Sequence, residues 1–275
     1  MEAGPQVTTG CNKAIIVAAG RGRRLGDETR EIPKCMVEVG GRPILHWQLR
    51  ALAAAGVDDI VMVRGYLGER IDPGKAARVR FVDNPEWERN NILASLMYAE
   101  DELASGFFFS YCDIVYAPAA VRALAAAAKG GDAAASLVID RRWADTYQGR
   151  DLHPVSEAEL ALVRSEGRSA RVLRVGKQAV PAAEAAGEFI GLAHFSAAGA
   201  GALATAWRAA VAGPGLEAPF GRAPTLRQAY LTDALNAMAD AGARLAPVFI
   251  DGQWREIDTQ QDLEAARAAL SAWAG

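Results

Sequence analysis

Short apolar runs alternate with amphipathic stretches along the first half of this 275-residue chain. Residues 14–18 are continuously apolar and are soon followed by Gly20, a pattern that predicts a buried strand. Residues 44–55 have the apolar spacing of a helix and end at Gly56. Further strands are predicted at residues 59–63, 79–82, 107–111 and 133–139, and further helices at residues 91–103 and 117–129.

The alternation of strands and helices stops near Asp140. Residues 160–163 and 171–175 are two apolar segments close together in the chain, which favours neighbouring antiparallel strands. The remaining predicted elements are a strand at residues 189–193, helices at 197–212 and 226–241, a strand at 245–250 and a helix at 260–274.

This order of elements predicts an α/β fold. Strand–helix alternation is typical of a mostly parallel sheet with helices on both faces. We therefore expect three α/β/α layers around a mixed, mostly parallel central sheet, with an antiparallel insertion after residue 140. No long linker of proline, glycine or serine divides the chain, so we predict a single domain over residues 12–275, preceded by a flexible tail at residues 1–11.

Composition excludes several classes of protein. No apolar run reaches the roughly 18–20 residues that a membrane span needs, and residues 1–12 lack the features of a secretory signal. A net charge of −3 gives no reason to expect a nucleic-acid partner. The cysteines Cys11, Cys35 and Cys112 are odd in number and form no CxxC pair, which argues against a disulfide framework or zinc site and fits a reducing cytosol.

A loop rich in glycine and arginine follows the first predicted strand: Ala18-Ala19-Gly20-Arg21-Gly22-Arg23-Arg24-Leu25-Gly26. A dinucleotide-binding fingerprint would need glycine in place of Leu25 and an immediate helix, and a P-loop would need Gly-Lys-Ser/Thr. Neither motif is present. A flexible surface turn is the ordinary alternative.

The length and charge of this loop favour a binding role over a surface turn. More than twenty residues without an obvious element separate the first strand from the first helix, which is uncommon unless the segment is functional. Glycine lets backbone N–H groups approach an anion, and nearby cations neutralise a triphosphate. The loop also follows the carboxyl end of a strand, where open α/β sheets bind ligands. We predict phosphate binding by a segment whose cations are Arg21, Arg23, Arg24, Arg30 and Lys34.

The segment from Lys13 to Leu25, followed by Pro33-Lys34 and Gly41-Arg42-Pro43-Ile44-Leu45, resembles the opening of the sugar-phosphate and phosphocholine nucleotidyltransferase superfamily. The resemblance implies a Rossmann-like nucleotidyltransferase fold whose antiparallel insertion binds the acceptor. It also implies that Arg24 and Lys34 offset charge at the reacting phosphates, as catalytic residues. The implied nucleotide-binding residues of the loop are Ala18, Ala19, Gly20, Arg21, Gly22 and Arg23.

Two aspartates are candidate ligands for Mg²⁺, which prefers carboxylates together with phosphate oxygens and water. Asp113 follows the apolar strand that begins at Phe107, and a buried, unpaired carboxylate there would require a metal or a basic partner. Asp258 precedes the last predicted helix, where it or Thr259 can simply cap the helix. The resemblance implies that Asp258 completes the metal site, and that Glu256 is structural or supports it.

One position departs from the superfamily pattern. Related enzymes often carry an acidic residue two positions before the first metal aspartate, where this chain has Tyr111. The three histidines have no partner at ligand spacing, so we expect each to be structural: His46, His153 and His194.

The stretch from Asn84-Pro85 to Asn91 and Ser95-Leu96 resembles a block of the phosphocholine and phosphonate cytidylyltransferase branch. The resemblance implies that Asn91 and Ser95 bind the nucleotide, and it favours cytosine as the base. In the ordinary alternative, Asn90 or Asn91 caps a helix. The two interpretations are compatible, because a spacing of four places both side chains on one helix face.

The segments ending at Lys177 and beginning at Gly187-Glu188 resemble the acceptor half of the same branch. The resemblance implies that Lys177 meets the acceptor's phosphoryl or phosphonyl oxygens, as a catalytic residue, and that Glu188 binds the acceptor. In the ordinary alternative, Lys177 is an exposed turn residue. Further acceptor-binding residues are predicted in a basic and aromatic run: Arg141, Arg142, Trp143 and Tyr147.

The side chains of this run point to two acceptor classes. An aromatic cage would suit a quaternary ammonium such as choline, whereas paired arginines suit an additional anionic group. The arginines favour a phosphonate or another acidic acceptor over phosphocholine.

Residues and resemblance together predict a Mg²⁺-dependent cytidylyltransferase that transfers CMP from CTP to a small phosphonate or phosphate monoester and releases pyrophosphate. Two alternatives stay open. One is a sugar-1-phosphate or cyclitol-phosphate nucleotidyltransferase that uses another triphosphate, and the other is a catalytically silent, nucleotide-sensing regulatory subunit. We expect a cytoplasmic protein with no nucleic-acid or membrane partner; homodimers are common among such enzymes.

Overall fold

The computed structural model describes residues 11–74, 78–167 and 169–271. Within these ranges the strands β1 to β13 are Lys13–Ala18, Glu38–Val39, Arg42–Pro43, Asp59–Arg64, Arg78–Asp83, Phe107–Tyr111, Ile114–Tyr116, Ala135–Asp140, Glu159–Glu166, Ser169–Lys177, Gly187–Phe195, Leu245–Ile250 and Trp254–Glu256. The α-helices α1 to α7 are Ile44–Ala53, Ile92–Leu96, Pro118–Gly130, Trp143–Thr146, Ala197–Ala212, Leu231–Asp240 and Gln260–Ser271.

The predicted tail, residues 1–11, lies outside the described residues except for Cys11. The Cys11 thiol donates a hydrogen bond to the Gly106 carbonyl oxygen, 3.2 Å away. This bond joins the start of the described chain to the turn before β6.

One mixed sheet of nine strands carries the fold in the described ranges. Strand β1 pairs in parallel with β4 and β6, and β4 pairs in parallel with β5. The carboxyl ends of these four strands therefore share one edge. Strand β11 runs antiparallel to β6 and also pairs with β8 and β9. The predicted antiparallel pair is present as β9 and β10.

Helices cover both faces of this sheet because its central strands are apolar on both sides. Successive side chains of a strand point to opposite faces. Ile15 and Val17 of β1 belong to the core that packs against α2, α5 and α6, whereas Ile16 belongs to the core beneath α1 and α3. The predicted α/β fold, with three layers and a mixed central sheet, is confirmed.

Two predicted helices are shorter in the structure. Helix α2 ends at Leu96 and continues as a 3₁₀ helix, Met97–Glu102, with a kink at Ala99. Acidic residues at positions 100–102 oppose the negative end of a helix dipole, so the tighter turn replaces a longer α-helix. The helix predicted from residue 226 begins at Leu231, because residues 226–228 form a separate 3₁₀ turn.

Among the described residues, every helix is too short or too polar to cross a bilayer.

Candidate active site

A cleft of about 370 Å³ opens beside the carboxyl ends of β1 and β6. Strand order explains its position, because the loops after neighbouring parallel strands meet at this edge. Both signs of charge line the cleft. Its charged residues are Arg23, Arg24, Lys34, Lys177, Asp113, Glu157, Glu159, Glu188, Glu256 and Asp258.

The glycine-rich loop after β1 is held by hydrogen bonds at its turn. The Gly22 carbonyl oxygen accepts from the Leu25 amide at 3.1 Å and from the Thr29 hydroxyl at 3.0 Å. The Leu25 side chain is buried in a small core with Ile44 of α1 and Leu263 of α7. These contacts fix the loop between the sheet and two helices.

The segment between β1 and α1 is more ordered than the sequence predicts. It contains two 3₁₀ turns, Arg23–Thr29 and Lys34–Met36, and the short antiparallel pair β2–β3. Elements of two to seven residues are too short to leave a periodic pattern in a sequence. Their turns explain how this segment carries Lys34 back to the cleft.

Gly22 lets the loop and the Lys34 side chain pack together. Its φ is +67°, and a Cβ atom at this position would lie 2.8 Å from Lys34 Cδ. Only glycine adopts this backbone conformation at little cost and also leaves room for the lysine.

Lys34 joins the two aspartates that the sequence proposes as metal ligands. Its Nζ lies 2.7 Å from Asp113 Oδ2 and 2.7 Å from Asp258 Oδ1, and only 6% of the residue is exposed. Burial disfavours the charged ammonium, but the two carboxylates outweigh it and raise the pKa of Lys34. The lysine therefore stays charged between them.

Asp258 is held ionised by a second cation. The Arg24 guanidinium contacts its Oδ2 atom. Burial alone would raise the pKa of Asp258, but Lys34 and Arg24 together lower it to about 2.

A two-stranded antiparallel sheet brings the distant aspartates together. Strand β13 pairs with β7, and Glu256 stands opposite Ile114. The Ile257 amide then donates to the Asp113 carbonyl oxygen at 2.8 Å. Asp258 comes one residue later and therefore faces Asp113 across the cleft floor.

The aspartate pair leaves one carboxylate oxygen available to a hard divalent cation, because both Asp258 oxygens and Asp113 Oδ2 contact Lys34 or Arg24. Asp113 Oδ1 is buried and has no hydrogen-bond partner among the described residues, and carboxylate oxygens are the ligands that Mg²⁺ prefers.

A second cluster shares Asp258, since the potential ligand atoms of His153, Glu256 and Asp258 lie within 4.8 Å of one another. A histidine nitrogen is more typical of a transition-metal site. Burial and the nearby Arg150 lower the pKa of His153 to about 4, so its buried imidazole is neutral at pH 7.

Asn91 and Ser95 both line the cleft. Asn91 also caps α2, because its Oδ1 accepts from the Ile92 amide at 2.8 Å. The Ser95 hydroxyl accepts from Asn84 Nδ2 at 3.0 Å. The capping role and a position facing the cleft therefore coexist at Asn91.

The remaining residues predicted in the loop divide between the cleft and the protein interior. Gly20, Gly22, Arg23 and Arg24 line the cleft. Ala18 and Ala19 are buried at the end of β1 and just after it. The Arg21 guanidinium packs over the Tyr66 ring at 5.2 Å, and this contact keeps it from lining the cleft.

The four predicted acceptor residues at positions 141–147 do not line the cleft, and their role stays a prediction. The Arg141 guanidinium pairs with Asp251, and that of Arg142 pairs with Asp145, both at exposed positions. Neighbouring carboxylates therefore already neutralise both arginines. The rings of Trp143 and Tyr147, 5.7 Å apart, pack in a small core of their own. Lys177 and Glu188 do line the cleft.

The chain matches the MobA-like NTP transferase domain over residues 14–245, most of its length. It belongs to the MobA-like NTP transferase family. The nucleotidyltransferase superfamily and the class of enzyme predicted from the sequence are thereby confirmed. Members of this family generally depend on a divalent metal.

Curated relatives of this family member include cytidylyltransferases. The CTP:phosphoglutamine cytidylyltransferase of Campylobacter jejuni is 29% identical over 259 residues, which cover 91% of this chain and 97% of that protein. The CMP-5'-(3-aminopropyl)phosphonate synthase of Streptomyces rubellomurinus is 37% identical over 129 residues. That match covers 45% of this chain but only 20% of the Streptomyces protein.

A solved structure supports the same fold. The inositol-1-phosphate CTP transferase of T. maritima superposes with a TM-score of 0.71 at 20% identity. The match covers 94% of this chain and 95% of that one.

Several residues around Lys177 in the cleft were not predicted from the sequence. Glu157 accepts from Lys177 Nζ at 2.9 Å, and the Tyr230 ring lies 4.8 Å from the same ammonium. Glu159 begins β9, which pairs with the first residues of β11. The available signal was a charged residue at the start of an apolar strand.

Proposed function

We propose that this chain is a Mg²⁺-dependent cytidylyltransferase that transfers CMP from CTP to a small phosphonate or phosphate monoester and releases pyrophosphate. The main support is one cleft that combines the cationic loop with the cluster of Lys34, Asp113 and Asp258. The two curated relatives named above support cytosine as the base. A silent regulatory subunit is less well supported, because the cations and carboxylates that chemistry requires are all retained.

The loop residues bind the triphosphate in this mechanism. The backbone from Gly20 to Gly22 approaches the phosphates, and the guanidinium groups of Arg23 and Arg24 neutralise their charge. Asn91 and Ser95 contact the nucleoside at the start of α2. Binding of both ends of CTP orients its α-phosphorus towards the acceptor half of the cleft.

Asp113 and Asp258 hold the divalent cation, which when bound neutralises phosphate charge and aligns the reacting groups. The buried, unpartnered Asp113 Oδ1 supports this assignment.

The acceptor oxygen attacks the α-phosphorus in line, the new P–O bond forms, and the bond to pyrophosphate breaks. The acceptor is already anionic and needs no strong general base. Lys34 stabilises the charge that develops on the phosphates, and Lys177 binds the acceptor's anionic group.

Pyrophosphate release tests this function. Each of the four nucleoside triphosphates is combined with Mg²⁺ and with phosphonates, phosphocholine or sugar phosphates. We expect release with CTP and a phosphonate or phosphate monoester. Release only with another triphosphate and a sugar phosphate would contradict the proposed base and acceptor. No release with any pair would contradict the proposed activity.

We also infer a cytoplasmic location, which is supported by the odd number of cysteines and by the lack of a CxxC pair in the sequence. A homodimer stays a prediction.

A further inference from the structure

Glu188 presents a buried carboxylate to the acceptor half of the cleft. It lies on β11, lines the cleft, and is only 3% exposed. Its Oε1 atom accepts a hydrogen bond from the Tyr147 hydroxyl at 2.6 Å. Its Oε2 atom is buried and has no hydrogen-bond partner among the described residues. A buried acceptor without a donor costs free energy, so this atom calls for a donor that arrives with a ligand.

Glu159 provides a second carboxylate on the same wall. It is 6% exposed, and its hydrogen bonds come from the hydroxyl groups of Tyr111 at 3.0 Å and Thr232 at 3.2 Å. Strands β9 and β11 are paired at Leu160 and Glu188, so the two glutamates lie on neighbouring strands. Hydroxyl groups orient a carboxylate but do not neutralise its charge.

The cations near these glutamates are already paired. Lys177 Nζ lies 2.9 Å from Glu157 Oε2. Arg150 lies 3.0 Å from Glu256 and 2.6 Å from Asp262. Within the described part of the chain, no lysine or arginine forms an ion pair with Glu159 or Glu188. Lys177 and Arg150 act on these two glutamates without forming an ion pair with them, so a cation in direct contact with this wall has to come from the ligand.

We propose that the acceptor carries a protonated amine, that this amine donates a hydrogen bond to Glu188 Oε2, and that Glu159 supplies a second negative charge beside it. Glu188 is then a specificity-determining residue. This inference rests on the proposed function, since it names the cationic end of the acceptor whose other end is the phosphonate or phosphate.

An amine with N–H groups fits better than a quaternary ammonium. A trimethylammonium group has no N–H to satisfy Oε2 and is bound instead by open aromatic faces. Trp143 and Tyr147 pack in their own core, and Lys177 covers a face of Tyr230.

A neutral hydroxyl could donate to Oε2 but would bring no positive charge into contact with the ionised form of either glutamate. Burial raises the pKa of Glu159 to about 7 and that of Glu188 to about 8. A cation on this wall therefore favours the ionised form of both residues.

Matched acceptors test the inference with the full chain, CTP and Mg²⁺. The probes are 2-aminoethylphosphonate, propylphosphonate, which replaces the ammonium by a methyl group, and the N-trimethylated aminoethylphosphonate. We expect kcat/KM to be about 10- to 100-fold higher for the primary amine than for either analogue, as for a hydrogen bond to a charged group.

Substitution of Glu188 separates recognition from folding. Glu188→Gln keeps the size of the side chain, and we expect it to abolish most of the preference for the amine while KM for CTP stays unchanged. Tyr147→Phe removes the hydroxyl that orients Glu188 and should reduce the preference less. The control is Glu184→Gln at an exposed position outside the cleft lining, which should keep the wild-type ratio. Melting temperatures verify that each variant is folded.

Two outcomes would overturn the inference, and they differ in whether the proposed function remains supported. If CTP is consumed with acceptors regardless of an amine, or if Glu188→Gln retains the preference, the amine site is wrong and the cytidylyltransferase remains. If CTP releases no pyrophosphate with an acceptor of any class, the proposed function is wrong, and the inference that rests on it is wrong as well.

Discussion

The Lys34 ammonium lies 2.7 Å from Asp258 Oδ1, although 224 positions separate the two residues in the chain. The same ammonium lies 2.7 Å from Asp113 Oδ2. One buried cation therefore holds together the two carboxylates that are proposed to bind metal.

Lys34→Met should destabilise the protein and make its stability depend on Mg²⁺. Without the ammonium, two carboxylates face each other, which should lower the free energy of unfolding by about 3 kcal/mol. Millimolar Mg²⁺ should recover part of this loss and raise the melting temperature more than in the wild type. Lys13→Met is the control, because Lys13 pairs with Glu102, which does not line the cleft. An equal Mg²⁺ effect in all three proteins would contradict a metal site at the aspartates.

Asp113→Asn should abolish most of the activity with little loss of fold. The amide keeps the shape of the side chain but removes the charge that holds the metal. We expect pyrophosphate release to fall by about 1,000-fold, with an unchanged circular dichroism spectrum. Asp251→Asn, at an exposed ion pair outside the cleft, should keep wild-type activity. Near-normal turnover of Asp113→Asn would remove this residue from the mechanism.

Gly22→Ala should slow the reaction more than it destabilises the fold. The new methyl group would lie 2.8 Å from Lys34 Cδ, so the lysine must move away from the aspartates. Gly41→Ala is the matched control, because Gly41 has a similar φ of +74° and no neighbouring atom within 4 Å of its Cβ position. We expect similar losses of melting temperature in the two variants, but a fall of about 10-fold or more in kcat only for Gly22→Ala. Equal kcat values would show that Lys34 tolerates the shift.

The double substitution of Arg141 and Arg142 by alanine should leave acceptor binding intact. Both guanidinium groups are paired with aspartates at exposed positions, and exposed pairs contribute less than about 1 kcal/mol. We expect KM for the acceptor to stay within about twofold of the wild type. A large rise in KM would restore the interpretation made from the sequence.

Glu188→Gln should stabilise the apo protein at alkaline pH. Burial raises the pKa of Glu188 to about 8, so the native state retains a proton that the unfolded state loses near pH 4.5. Wild-type stability from this group is complete below about pH 4.5 and is lost as the pH rises to about 8. Relative to the wild type, the variant should gain on the order of 3 kcal/mol between about pH 5 and pH 9. Denaturant unfolding at several pH values checks this, and a pH-independent difference would contradict it.

Sequence reasoning succeeded where the signal was local. The apolar runs predicted the central strands, because strands buried on both faces must be apolar at every position. The position of Asp113 after such a strand placed its side chain at the cleft. Gly22 and Lys34 belonged to a long, gapped pattern, so the loop and its lysine were found together.

Sequence reasoning cannot identify a contact whose partner lies far away in the chain. Arg141 resembles a ligand-binding residue until its pairing with Asp251 is visible. Glu159 resembles an ordinary surface residue until the pairing of β9 with β11 turns it towards the cleft. Neither pairing can be recognised from a short segment of the sequence.

The pairing of β13 with β7 also determines when the proposed carboxylate pair can form. Asp258 reaches Asp113 only after Trp254–Glu256 has added to Ile114–Tyr116. Contacts between such distant segments form late, because closing a long loop costs chain entropy. A chain still emerging from the ribosome can therefore assemble β1, β4 and β6 but not the carboxylate pair. If Asp258 acts as proposed, turnover requires synthesis to have passed this residue, and we expect a nascent chain that lacks β13 to be inert.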